Sequence, residues 1–252
     1  LGIKGSRSFK LNPFEFPEGI HIQTHLDHLK SIFIAAFPMC GPMPYILETA
    51  VYDIYSRTGW DFVSSTNRYK EKLERKDLFP TLEDLYAAID RAIQNVGYST
   101  DLSNDVKGAL KVRVGSLLCG AKGMMLNTRS SNSIQELLTS PTVMELEYIG
   151  DDQEKVFLMG LLLVSIYEHY SAGQQHALEL KNLLVIEEAH RLLENVRSSN
   201  NQEVADMKGK AVESFNYILS EIRTYGQGLI IADQIPTKLS TDVIKNTNLK
   251  IV

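Results

Sequence analysis

Cysteine is scarce in this chain, and the little there is stands apart. Cys40 and Cys119 are the two cysteines among 252 residues, and neither belongs to a C-x-x-C pattern. That excludes a disulfide scaffold and a cysteine-built zinc site, and it suits a reducing compartment. Each thiol is expected to pack as a small buried hydrophobe. Long apolar runs are also missing. The most apolar stretch, Val156 to Tyr167, is interrupted by Gly160 and Ser165 and is too short to cross a bilayer. No signal-peptide pattern opens the chain, and no repeat or low-complexity segment interrupts it. The expectation is a cytoplasmic protein with no membrane segment. Excess positive charge is absent too. The net charge is −5, so any contact with a polyanion must come from a local patch.

What remains is ordinary globular material, 44% hydrophobic and 23% charged. The length can bury a full core, as one large α/β domain or as a core with an inserted subdomain. Within it, Leu183-Leu184-Val185-Ile186-Glu187-Glu188-Ala189-His190 is the most informative stretch. Four apolar residues run into paired carboxylates and then into a helical pattern. Such a run suits a strand buried on both faces of a parallel sheet. The acids then emerge at the strand's carboxyl end, where open α/β sheets place their ligands. Side by side there, they suggest a cation-assisted hydrolytic site, one acid for magnesium and one for water. The competing reading is a helix cap, since a helix dipole favours acids at its start. A second strand, Gly228 to Ala232, ends in Asp233, Gln234 and Pro236. Val212, Phe215, Leu219 and Ile222 lie at helical spacing between the two. Strand, helix, strand is the signature of a right-handed crossover in an α/β sheet.

These residues resemble the HerA/FtsK-type ATPases, hexameric DNA translocases of the RecA-like P-loop class. The likeness is specific at "LLVIEEAH" (183–190) and within 221–252, "EIRTYGQGLIIADQIPTKLSTDVIKNTNLKIV". "LNPFEFP" (11–17), "FPTLEDL" (79–85) and "SPTVMELEYIGDDQEKVFLMGLLL" (140–163) are similar to HerA-type and conjugation ATPases. The resemblance implies an α/β fold: a RecA-like P-loop core with a mainly parallel sheet and an inserted α-helical subdomain. Residues 1–24 would begin the core, 25–140 would form the largely helical insertion, and 141–252 would carry the Walker B and sensor strands. One departure is large. Nowhere in the sequence is there a G-x-x-x-x-G-K-[ST] loop, the backbone cradle for the β- and γ-phosphates. Gly209-Lys210 is followed by Ala, and the chain starts with Leu and stops inside an apparent strand. The expectation is an ATPase body whose phosphate loop lies upstream, poor in ATP binding by itself. The alternative is a degenerate ATPase.

By resemblance, Glu187 takes the place of the acid that holds magnesium and its water, and Glu188 that of the water-activating base. Both would contact the ATP–Mg2+ cofactor. A carboxylate within one water of the γ-phosphate can orient the nucleophile. Gln234 falls at a sensor position, where an amide can report the nucleotide state. Arg223, in Ile222-Arg223-Thr224-Tyr225-Gly226, takes the place of an arginine finger reaching a neighbouring subunit. Its rival role is to interact with its own helix dipole. His190 is assigned no catalysis. The segment Asn195 to Lys210, rich in Ser and Asn, carries Arg197, Lys208 and Lys210 and reads as a loop able to touch DNA phosphates. An unliganded solvated loop is the other reading, and Lys122 and Arg129 have the same status. The implied partners are other copies in a hexameric ring, double-stranded DNA and a partner nuclease. A conjugation or secretion ATPase, or a non-hydrolysing ring scaffold, are the rivals.

Local patterns complete the expectation. Gly19 to Thr24 reads as a strand, 26–37 and 45–58 as helices, and Ser64 to Lys76 as an exposed connection. A helix opened by Thr81 and Asp84 carries Leu82, Leu85, Ile89, Ile93 and Val96 on one face. Another spans Asn104 to Leu118. Val143 to Tyr148 reads as a strand, then a long helix capped by Asp151 runs to Tyr170. The rest is strand 183–187, helix 205–224, strand 228–232, a short helix at 241–246 and a last strand from Leu249.

Overall fold

The computed structural model describes residues 9–94, 97, 99–173, 176–177, 179–196 and 202–251. Its centre is α7, Asp152–Ala172. Asp151 caps this helix through a side chain that accepts from Gln153 N and Glu154 N. Val156, Phe157, Leu158, Leu161, Leu163 and Val164 are buried, so apolar residues face nearly all round and the helix sits inside the molecule. Against it lie α1 (Ile22–Ala36) and α8 (Gln202–Glu221). Gly160 permits their close approach. A Cβ there would stand 3.2 Å from the Phe215 ring and 3.5 Å from Ile32 and Leu192.

A helical layer follows α1 in sequence: α2 (Met43–Arg57), α3 (Leu82–Gln94), α4 (Thr100–Leu117), α5 (Gly120–Leu126) and α6 (Ile134–Thr139). α3 packs between α2 and α4, burying Leu82, Leu85, Ala88, Ile89, Ala92 and Ile93 at the expected spacing. Thr81 N donates to Asp84 Oδ2 at 2.8 Å, the reciprocal capping anticipated from the sequence. Val96 lies outside the described residues. A small antiparallel pair, β1 (Trp60–Asp61) with β2 (Thr66–Asn67), closes the link between α2 and α3. The segment 11–17 is folded onto this layer. Phe14 and Phe16 are buried against Tyr55, whose hydroxyl donates to the Phe14 carbonyl.

The parallel sheet among the described residues has two strands, β3 (Asn182–Glu187) and β4 (Gln227–Ala232), joined through α8. Leu184 pairs with Leu229 and Ile186 with Ile231, and all four lie against the core. The opposite face carries Leu183, Val185 and Ile230, which are 54%, 50% and 46% exposed. The strand is therefore covered on one face, where the sequence suggested both. A last helix, α9 (Thr241–Asn246), starts at Ser240, whose hydroxyl accepts from Asp242 N. One apolar cluster runs from Leu11 to Val243.

Several local expectations are corrected. Gly19 to Thr24 is no strand: helix α1 starts at Ile22, capped by His21 Nδ1 accepting from Gln23 N. The buried stripe Ile22, Leu26, Leu29 and Ile32 outweighs the local β-branched alternation. Val143 to Tyr148 forms no strand, and Val143 is 84% exposed. Alternation without a neighbouring ladder leaves backbone groups for water. Leu249 and Ile251 are likewise exposed outside any strand. Within Ser64 to Lys76 lie β2 and the buried Asn67, whose amide donates to Thr58 O at 3.0 Å. Cys40 and Cys119 are free and exposed, not buried. No helix among the described residues is long and apolar enough to cross a membrane.

Candidate functional site at the carboxyl end of the parallel strands

β3 and β4 run side by side, so their carboxyl ends bring Glu187 level with Ala232. Glu187 shares the outward face with Leu183 and Val185 by alternation, and its side chain is exposed. The next residue breaks the strand. Glu188 has φ 48° and ψ 41°, a left-handed conformation uncommon outside glycine and costly by about 1 kcal/mol or more. The chain then enters a 3-10 turn, Ala189–Arg191. Glu188 is therefore held on a sharp corner between strand and turn. Its Oε2 accepts from Arg191 Nε at 2.6 Å, and that hydrogen bond and charge hold its carboxyl below the usual range. Arg191 Nη1 also donates to Asp152 at the start of α7.

The neighbouring strand end is tied to this corner by Asp233. Its Oδ2 accepts from His190 N at 2.7 Å and from His190 Nδ1 at 2.8 Å, while Oδ1 accepts from Ile235 N at 2.7 Å. Burial pushes the Asp233 carboxyl up, but the Ile235 and His190 donors outweigh it and bring it down. Gln234 is next in the chain and is exposed. Glu187, Glu188 and Gln234 thus lie at adjacent strand ends, with His190 and Asp233 as the bracket between them.

The remaining sequence candidates lie elsewhere. Arg223 is in the 3-10 turn Ile222–Tyr225, at the amino end of β4. Six residues at roughly 3.3 Å each put it about 20 Å from the acids. It is exposed, and its Nη1 donates to Asn246 O at 3.0 Å. Lys208 and Lys210 sit on α8 and not on a loop. Lys208 is ion-paired with Glu194 at 2.5 Å, and Lys210 is exposed. Arg197 lies outside the described residues. Lys122 is paired with Glu154, and Arg129 with Asp77 at 2.9 Å, so this second basic segment is internally neutralised.

Sequence reasoning missed Arg191, Asp152 and Asp233. The available signal was position: Asp233 directly ends an apolar run, and Arg191 follows the acids by one helical turn. Asp152 comes from a helix start 36 residues before Glu188 and carries no local signature.

Chemically, the strand ends offer hard oxygen donors. Magnesium takes one or two carboxylates and keeps water and phosphate oxygens for the rest, so the exposed Glu187 fits it. A closed protein cage does not exist there. Among the described residues no group of three or more His, Cys, Asp or Glu could hold a metal ion.

No protein-family description matches this sequence, and no curated protein does. The fold does have a solved counterpart. It is similar to the structure of VirB4 of Thermoanaerobacter pseudethanolicus, with a TM-score of 0.60 and 17% sequence identity. The likeness covers 95% of this chain and 58% of the VirB4 chain. At that identity the shared property is the fold: helix-rich, mixed α/β, with small sheets.

Proposed function

We propose that these residues are the body of a RecA-like, ATP-hydrolysing motor core of the HerA/FtsK type. Residues 1–24 and 141–252 would contribute to the core and 25–140 its helical insertion. The complete protein would assemble as a hexameric ring that drives double-stranded DNA, alongside a partner nuclease. The observation that carries this reading is the acid pair: Glu187 and Glu188 leave a parallel strand at its carboxyl end, beside the Asp233–Gln234 end of the adjacent strand. Fold likeness to VirB4 supports a distant ATPase relation.

Bound Mg2+ and ATP would supply the polarised phosphate, and Glu187 is the residue to hold the ion. Glu188, kept ionised by Arg191, accepts a hydrogen bond from water and orients it. Gln234 offers an amide donor one strand over. Arg223, about 20 Å from its own acids by strand length, would serve the phosphates of a neighbouring subunit. The G-x-x-x-x-G-K-[ST] pattern of a phosphate cradle does not occur in the sequence. A conjugation ATPase is the second reading, and the fold likeness to VirB4 is compatible with both.

The test is ATP turnover by the full-length protein, with and without duplex DNA. Duplex DNA should stimulate turnover. Glu188→Gln should abolish hydrolysis, on the order of a hundredfold or more, with ATP binding and folding retained. Full activity in that variant sinks the hydrolytic reading. Absence of DNA stimulation in an active enzyme sinks the translocase reading and leaves the conjugation one.

A further inference from the structure

The corner at Glu188 contains more order than a strand end needs. Arg191 stands three residues beyond it, and its guanidinium is gripped from two sides. Nε donates to Glu188 Oε2 at 2.6 Å, and Nη1 donates to Asp152 Oδ1 on the first turn of α7. The guanidinium is the most enclosed of the three groups. Its side chain is 22% exposed, against 54% for Glu188 and 72% for Asp152. Among the described residues Glu188 Oε1 takes no hydrogen bond.

Stability does not account for this arrangement. Exposed ion pairs contribute about 0–1 kcal/mol. The left-handed backbone at Glu188 costs about as much. What the arrangement does supply is geometry. A planar guanidinium sets the angle between its Nε and Nη1 donors, so Glu188 and Asp152 are held in a fixed relation that an ammonium would not impose. One oxygen is occupied and the other is left open. The three anchors come from different elements: the end of β3, the 3-10 turn and the start of α7.

We propose that Arg191 is a positioning residue that pins Glu188 through Oε2 and presents Oε1 to the attacking water, with Asp152 holding the guanidinium in register. The inference rests on the hydrolytic reading above and adds a residue to it. Fixing the orientation of a base is worth rate because misplacement by about 1 Å can cost on the order of a hundredfold in an aligned reaction.

The experiment uses the full-length protein. Arg191→Ala should lower kcat on the order of ten- to a hundredfold while KM for ATP stays close to wild type. Arg191→Lys should recover part of that loss, because it restores charge but not the planar fork. Carbon relaxation of the Glu188 side chain in the nucleotide-free protein should show an ordered carboxyl-bearing arm that becomes mobile in Arg191→Ala. Should Arg191→Ala fail to fold, Asp152→Asn keeps the guanidinium, loosens its anchor and should show both effects more weakly. Unchanged kcat overturns the proposal, as does lost kcat with an equally ordered Glu188. If Glu188→Gln itself turns over normally, the hydrolytic reading falls. If Glu188→Gln is inactive and Arg191→Ala is normal, only the positioning role falls.

Discussion

Glu168 shows how a single buried residue can set the pH range of a fold. It lies on α7, fully enclosed, and receives both α1 histidines. His25 Nδ1 donates to its two oxygens at 3.1 and 3.0 Å, and His28 Nδ1 donates to Oε1 at 2.8 Å. His25 Nε2 meets the Pro13 carbonyl at 3.2 Å, so the same ring also ties down segment 11–17. Burial pushes the Glu168 carboxyl up, and the two imidazoles, His25 ahead of His28, more than offset it and bring it to about 2. The unfolded carboxyl titrates near 4.5, so its stabilising effect is complete above that pH and is lost as pH falls from 4.5 towards 2. Linkage makes this on the order of 3 kcal/mol. Glu168→Gln should lower stability at neutral pH by a comparable amount and flatten the acid limb. Urea unfolding at a series of pH values measures both, and an acid limb of wild-type steepness in the variant would contradict the assignment. None of this was legible in the sequence. His25 and His28 are near neighbours, but their acid lies 143 residues away from the first of them.

Helices and strands were legible to different degrees, for reasons visible in particular elements. α3 announced itself through its cap and its stripe of Leu82, Leu85, Ile89 and Ile93. α7 was readable from Asp151 and the apolar run behind it, which Gly160 and Ser165 punctuate without ending the helix. The strands β3 and β4 were readable because each apolar run ends abruptly in acids or amides. Val143 to Tyr148 failed because alternation reports only a period, while a strand also needs a ladder partner. Of the candidate site, Glu187, Glu188 and Gln234 were found from their places after apolar runs. Arg191 and Asp152 were not, since their roles arise only when α7 meets the turn after β3. The junction of α1, α7 and α8 gives the sharpest element-scale prediction. Gly160→Leu must drive a side chain into Phe215, Ile32 and Leu192, and overpacking of this kind costs about 1–3 kcal/mol. A melting temperature equal to wild type would show that the three helices are less tightly packed than their 3.2 Å approach indicates.

At the scale of the whole molecule, one apolar cluster joins the helical layer to the parallel strands, and one surface stands apart from it. Leu183, Val185 and Ile230 form an uncovered stripe on the outward face of β3 and β4. Parallel strands are ordinarily shielded on both faces. The 252-residue chain by itself should bind an apolar dye at this stripe and self-associate as its concentration rises. Val185→Lys together with Ile230→Glu should reduce both effects with little change in the helical circular dichroism, and sedimentation combined with dye fluorescence reads the outcome. Dye binding that survives the double variant would place the sticky surface elsewhere.

Tyr55 has a consequence of a different kind. It is the buried phenol among the described tyrosines, its hydroxyl is engaged by the Phe14 carbonyl, and enclosure together with the charges of Glu168 and Glu15 raises its ionisation well above normal. In an alkaline spectrophotometric titration the accessible phenols lose their protons first. The half-buried Tyr167 is raised as well, and the last step among the described tyrosines belongs to the fully enclosed Tyr55, accompanying release of the strap of residues around Phe14. The protein thus carries an intrinsic optical marker for release of its amino-terminal segment, one that needs no attached label.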